Sequence, residues 1–459
     1  MSMLPPKPPT NVTTNDLDEL EAELERDPKG TLEVMGTTIR RHVDEEQVHM
    51  SVARLKAALI HPEAARALRN TARSERAAGT GAWTPPPGAT IYPDIPIDPS
   101  RHEFETVGDL DGWVANCAKW WLQQKRGTLQ TAPRPTHSPG RPFRYVMQDR
   151  AGLPIRGDDT VRIALFSDFA TGEGPSRHIA RHIANAAPHY AIHLGDVYYA
   201  GIQPEVRDHL AAPLAQILPK SRTFAMNGNH EMLCGGQPYF DYIAAKHEAD
   251  PAGQEQESSY FSLFGDHYAV IAIDTAYDWK HDGELLQQQD QLWLEGELRA
   301  ARESNPRRTT ILLSQHEPLR LGKRSGTALL QQVKDVATRA GATIDYWFWG
   351  DEHYCARWDR AASGTRGLAF DGYCIGNAGY PVERLVLDPA DLREHLVPVA
   401  ARAAWIDRAP RFPTVGGARN PRSDLFTAGF CLLELGPDQC TFRFLNWLNL
   451  DVKVEVHPR

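Results

Sequence analysis

From Thr160 onward the chain repeats one pattern, a short apolar run that stops at an acid, an amide or a histidine. The runs are VRIALFSD, YAIHLGD, RTFAMNGNH, HYAVIAIDT, TTILLSQHEP and IDYWFWGDEH. Between them lie amphipathic stretches such as PSRHIARHIANAA, PEVRDHLAAPLAQIL, QQQDQLWLEGELRAA and TALLQQVKDVATRA. A strand that is apolar on both faces must be covered on both, so runs of this kind separated by helices predict an α/β layered domain, with β-sheets flanked by helices. The final stretch, GFCLLELGPDQCTFRFLNWLNLDVKVEVHP, predicts closing β-hairpins. No internal repeat is present.

Composition divides the 459 residues into three zones. Residues 1–85 are polar and helix-prone. NDLDELEAELERD sets Leu17, Leu20 and Leu24 on one face behind a capping Asn15, and HPEAARALRNTARSERAA starts a helix with Pro62 in its first turn. This zone reads as a helical extension, open to a protein partner or to self-association. Residues 86–159 are proline-rich and read as a wrapping or linker region, interrupted by one helix, DLDGWVANCAKWWLQQK. Trp113, Trp120 and Trp121 in that helix are expected to pack rather than to bind a ligand. Residues 160–459 form the layered domain.

A net charge of -9 argues against general nucleic-acid binding. No window approaches the roughly 18 apolar residues of a membrane span. The first residues lack the apolar core of a secretory signal, and the six cysteines are scattered without a CxxC pair, as reduced structural thiols would be. A cytoplasmic protein is expected.

Five of the six runs end in residues able to ligate a metal: Asp168, Asp196, the pair Asn229–His230, His316, and Asp351 with His353. In α/β sheets, ligands collect beyond the carboxyl ends of strands, so these residues can converge although far apart in sequence. Any one of them alone would be an ordinary turn or cap residue. In this order, all at the same end of a strand, they point to a metal site.

The ordered blocks Asp168, Gly195–Asp196, Gly228–Glu231 (GNHE), His316 and Gly350–His353 (GDEH), followed by GNAGYP at Gly376–Pro381, resemble the calcineurin-like metallophosphoesterases from about Val161 onward. That likeness implies a layered metallophosphoesterase sandwich. The purple acid phosphatase branch lacks the first-motif histidine and carries instead a tyrosine three residues after the second-motif aspartate. This chain has Ala170 at the first position and Tyr199 at the second, so the resemblance selects Tyr199 over Tyr198 as ligand, with a plain buried loop aromatic as the other reading.

The same likeness implies that Asp168, Asp196, Tyr199 and His353 hold one metal. Asp196 bridges to a second, held with Asn229, His316 and Asp351. Oxygen donors with a few imidazoles suit iron paired with manganese or a second iron, and zinc less well. Position 351 departs from the family's Gly-His-x-His, and its carboxylate adds a negative charge. Either Asp351 ligates, which weakens attraction for a phosphate dianion, or it turns away and leaves the second site weak. The implied function is hydrolysis of a phosphomonoester or phosphodiester by in-line attack of a metal-bound hydroxide, with Asp196 and His230 as catalytic residues and His230 as general acid. Glu231 and Glu317 are expected to orient histidines, Glu352 to stay off the metals, and Arg177 and His178 to lie on an exposed helix face. The alternative is a catalytically weak protein that keeps the fold to bind a partner through its N-terminal extension.

Overall fold

The structure, a computed structural model, describes residues 12–39, 43–67, 87–95, 110–138, 140–149, 151–218, 221–250, 253–278, 285–320, 326–365, 367–380, 405–406 and 428–459. Helix α1 (Thr14–Arg26) starts earlier than the sequence suggested. Thr13 is its cap, accepting from Asp16 N while the Asp16 carboxylate returns to Thr13 N at 2.8 Å. Asn15 lies inside the first turn and bonds Glu19 at 2.7 Å. Two helices not singled out in the sequence follow, α2 (Pro28–Ile39) and α3 (Glu45–Ile60). Of HPEAARALRNTARSERAA, residues 68–78 lie outside the described residues, as does most of the loop at 402–424.

Helix α4 (Leu110–Lys125) is the tryptophan helix, and α1, α2 and α3 pack around it. Leu17, Leu20 and Leu24 of α1 and Val48, Val52 and Leu55 of α3 share a core with Trp113, Val114, Cys117 and Trp121. Buried Asp111 fixes the register, accepting from Ser51 Oγ at 2.5 Å and from Arg54 Nη2 at 2.6 Å.

Two sheets form the layers. The first combines β2 (Val161–Phe166), β3 (Tyr190–His193), β4 (Arg222–Ala225), β12 (Gly429–Leu435), β13 (Gln439–Asn446) and β14 (Asp451–Pro458). Its order is β14-β13-β12-β2-β3-β4, with β2, β3 and β4 parallel and the C-terminal strands antiparallel as the sequence anticipated. The second contains β1 (Arg144–Val146), β5 (Phe261–Phe264), β6 (Tyr268–Ile273), β7 (Thr309–Ser314), β8 (Tyr346–Trp349), β9 (Cys355–Trp358), β10 (Asp371–Ile375) and β11 (Trp405–Ile406). Its order is β1-β5-β6-β7-β8-β10-β9-β11, and β6, β7, β8 and β10 run parallel. Helices α5 (Gly174–Ala186), α6 (Gln237–Glu248), α7 (Gln288–Ser304) and α8 (Ala328–Ala340) flank the sheets.

Alternation along β2 explains why it reads as one unbroken apolar run. Ile163 and Leu165 join the core between the sheets, with Val270, Leu312 and Phe348 opposite, while Ala164 and Phe166 join a second core with Ile179 and Ile183 of α5. The α5 face is covered more fully than expected. Arg177 is exposed, but His178 is buried, because residues 89–95 lie over it and Tyr92 N donates to its Nε2 at 3.3 Å. Among the described residues no helix is long and apolar enough to cross a membrane.

The proline-rich segment is bonded to the layered domain along its length. Ala132 N donates to Gly235 O at 2.8 Å, and Trp293 Nε1 donates to Pro142 O at 2.7 Å. Arg134 is buried between Asp274 at 3.2 Å and Asp290 at 2.8 Å. Burial opposes its charge, but the two carboxylates outweigh burial and hold the guanidinium above its ordinary range. Arg134→Met would leave two buried carboxylates without their cation, so it should cost about 3–5 kcal/mol. Urea unfolding of the full chain measures this as a lowered midpoint.

Candidate metal centre

The parallel strands of both sheets deliver their carboxyl ends to one place. Asp168, Asp196 and Asp351 follow β2, β3 and β8 within three residues, and all three have left-handed backbones, with φ of 56°, 76° and 65°. That region is sparsely used by residues other than glycine, although aspartate tolerates it better than most. Three such residues at three strand tips mark a place where the fold holds its backbone against local preference.

Each tip is pinned by its neighbours. Asp168 N donates to Gly195 O at 3.1 Å, and Asp168 O accepts from Tyr380 N at 2.9 Å, so the GNAGYP block closes over this tip. Asp351 N donates to Asp168 Oδ2 at 2.8 Å. The Glu231 carboxylate accepts from Asp196 N at 3.2 Å and Val197 N at 3.1 Å. Glu231 therefore holds the aspartate loop rather than a histidine, as the sequence had suggested. Gly228 has to be glycine, since a Cβ there would collide with Asp196 Oδ1 and with its backbone.

One ligand atom from each of Asp168, Asp196 and His353 lies within 4.8 Å of the others. The phenol that meets them belongs to Tyr198. Its hydroxyl lies 2.8 Å from Asp168 Oδ1, 3.1 Å from Asp196 Oδ2 and 2.8 Å from His353 Nε2. Tyr199, the tyrosine selected from the sequence, turns the other way and stands edge-on to Trp113 with ring centroids 5.2 Å apart. The cause is local. Buried Glu205 takes the N–H groups of Tyr199 at 2.7 Å, Ala200 at 2.9 Å and Ile202 at 3.2 Å, and this clamp sets which tyrosine faces inward.

The remaining site residues divide. Asn229 is buried and its Oδ1 has no hydrogen-bond partner among the described residues. His316 is buried with Nδ1 at 3.1 Å from Thr275 Oγ1. The Asp351 side chain is buried and its charge acts on Tyr198, yet neither His316 nor Asp351 joins the Asp168–Asp196–His353 group. His230 donates from Nδ1 to Tyr199 O at 2.6 Å, because a carbonyl can only accept, and its Nε2 lies 3.9 Å from Asp196 Oδ2. Glu317 pairs with Arg320, and Glu352 lies 3.7 Å from the same arginine.

Electrostatically the cluster gathers buried acidic groups. Burial pushes the Asp168 carboxyl up to about 6, with the neighbouring Ser167 hydroxyl and the hydrogen bond from Tyr198 pulling the other way. Asp196 is also raised, by burial first, with His230 pulling back and the Asp168 charge adding to the rise. Burial and the neighbouring Asp168, Asp196 and Asp351 charges lift the Tyr198 phenol well above its ordinary value. These buried oxygens, one imidazole and the orphaned Asn229 oxygen fit a bound metal, which would reverse every one of these shifts.

Residues 161–355 match the family model described as calcineurin-like phosphoesterase. No curated protein matches the chain. Among solved structures, one described as the structure of PhoD aligns at 12% identity and a TM-score of 0.43, over 67% of this chain and 70% of that one. GAP50 of Plasmodium, described as the anchor in the inner membrane complex, aligns at 11% identity and 0.43, over 64% and 88%. A Vps29 mutant from Entamoeba histolytica gives 11% identity and 0.26, over 65% and 99%.

The Asp168 shift has a testable sign. A carboxyl raised in the folded state contributes its full stability below its unfolded value and loses it as pH rises through about 6. Asp168→Asn should therefore stabilise the metal-free protein by on the order of 1–3 kcal/mol at about pH 7.5, and by almost nothing at about pH 4. Urea titrations of chelator-treated protein at the two pH values check it. An equal effect at both would contradict the assignment.

Proposed function

We propose, from the match of residues 161–355 to the calcineurin-like phosphoesterase family, that the chain is a metal-dependent hydrolase of a phosphomonoester or phosphodiester. The supporting observation is the meeting of Asp168, Asp196 and His353 around the Tyr198 hydroxyl at the strand tips. Asp168, Asp196, Tyr198 and His353 would hold one cation. Asp196 would be shared with a second, toward Asn229, His316 and Asp351. A phenolate with carboxylates favours ferric iron at the first position and manganese or ferrous iron at the second, as in the purple acid phosphatase branch. Such cations, when bound, lower the pKa of water and neutralise charge on the phosphoryl oxygens.

The protein's own groups supply the rest. His230 keeps Nδ1–H on Tyr199 O, which leaves Nε2 as the nitrogen to carry a proton to the leaving oxygen. The ring of Tyr198 packs against that imidazole at a tilt, with centroids 4.3 Å apart. Glu231 fixes Asp196 through two backbone N–H groups, so the shared carboxylate keeps its direction as charge changes during the reaction. Asp351 in place of a histidine makes the site less positive by one unit and weakens its hold on a dianion.

Protein made with iron and manganese available should carry metal and turn over p-nitrophenyl phosphate or its bis ester. Tyr198→Phe should abolish a visible tyrosinate-to-iron band and lower kcat at least about 100-fold. Tyr199→Phe should keep the band. Loss of the band in Tyr199→Phe alone would restore the spacing-based assignment. Two firmly held metals with no turnover of either ester would overturn the hydrolase reading and favour a partner-binding role.

A further inference from the structure

Trp113 belongs to α4, outside residues 161–355, yet its indole stands among the rings of the site. Its centroid lies 5.2 Å from Tyr199, 5.4 Å from His230 and 5.9 Å from Tyr380. The rings continue inward, with Tyr380 at 4.7 Å from Tyr198 and 4.6 Å from His353. Trp113 therefore extends an aromatic wall that begins at the metal-ligating group. The helix that carries it is held firmly, through Asp111 on Ser51 and Arg54. The residue before Trp113, Gly112, admits the Tyr199 hydroxyl, which a Cβ would meet at 2.6 Å.

The indole N–H is the informative group. Trp113 is 3% exposed, and its Nε1 is buried without a hydrogen-bond partner among the described residues. Trp293 and Trp347 do find acceptors, Pro142 O at 2.7 Å and Ser314 Oγ at 2.8 Å. Trp349 and Trp358 lack one too, but they pack on each other at 5.1 Å within the second sheet, whereas Trp113 lies beside His230. A buried donor without an acceptor carries its whole desolvation cost until an acceptor arrives. At this position, beside the proposed general acid, the acceptor that arrives would be an oxygen of the ligand.

We propose that Trp113 is a substrate-binding residue, donating its indole N–H to an oxygen of a bound phosphoryl oxyanion, so that the N-terminal helical unit completes the pocket. This rests on the reading of the site as a phosphoester centre. A single N–H and a ring wall favour a compact, oxygen-rich ligand over an extended one.

The test is calorimetric titration of the metal-loaded full chain with inorganic phosphate, with metal content and melting temperature measured on each variant. Trp113→Phe should weaken phosphate about tenfold while keeping the metals. Trp113→His, which retains an N–H donor, should recover part of that loss. Phosphate bound by Trp113→Phe as tightly as by the unaltered chain would overturn the proposal. Loss of metal or of folding in Trp113→Phe would overturn it as well, since the indole would then be a structural cover. Phosphate binding that depends on Trp113 in a protein without esterase turnover would sink the hydrolase reading but leave this one standing. Turnover that is indifferent to Trp113 would do the reverse.

Discussion

Two carboxylates and a phenol buried in contact with one another are the constraint that organises the rest of the molecule. Asp168 and Asp196 are 0% and 1% exposed, and Tyr198 bridges them. Like charges taken out of water oppose each other strongly, and a protein can hold them only where other interactions fix the backbone and a cation supplies the counter-charge. The left-handed turns at the tips of β2, β3 and β8, the Glu231 clamp on Asp196 and the Asp351 N–H on Asp168 Oδ2 are the fixing interactions. None of them neutralises charge. A cation bound there would supply that neutralisation, and the tips form a rigid frame suited to one.

The strands and their tips were legible because burial on both faces writes continuous apolar runs, and because the residue after such a run occupies a fixed end of the sheet. Offsets along a loop carry less information. Tyr198 and Tyr199 are adjacent, and their directions are set by Glu205, whose carboxylate takes three backbone N–H groups of that loop. Nothing in a count of residues from Asp196 contains that bond. His178 failed for a related reason. The amphipathic pattern of α5 described one covered face, while the segment around Tyr92 covers another. Strands β1, β5, β9 and β10 are short, and their pairing depends on partners distant in the chain, so no local period marked them. Trp113 and Tyr380 had a weak signal each, one in a tryptophan-rich helix and one in the GNAGYP block. Only the fold shows that Trp113 reaches His230, that Tyr380 reaches His353, and that the two rings meet each other.

The first third of the chain, which the motifs leave unexplained, shares its hydrophobic core with the sheets. Leu17 and Val48 belong to the same cluster as Ile163 and Phe348. Arg134 ties the proline-rich stretch to Asp274, which also accepts from Asn227 Nδ2 at 3.1 Å, two residues before Asn229. The proline segment is thus joined by two ion-paired or hydrogen-bonded links to the loop that presents the third motif.

Position 351 shows how such a frame absorbs a change of ligand. The bond that this residue gives to Asp168 comes from its backbone N–H, which every residue except proline retains. Its φ of 65° is a conformation in which aspartate is among the better-tolerated residues. Backbone geometry therefore places no demand for an imidazole here, and the side chain is left to set charge alone. Beside the buried Asp168 and Asp196, the Asp351 carboxylate adds a negative charge where an imidazole would add none. On the proposed reading, that extra charge would weaken the pull of the site on an anionic ligand. On that same reading, an uncharged donor such as the Trp113 N–H would then carry more of the work of holding it.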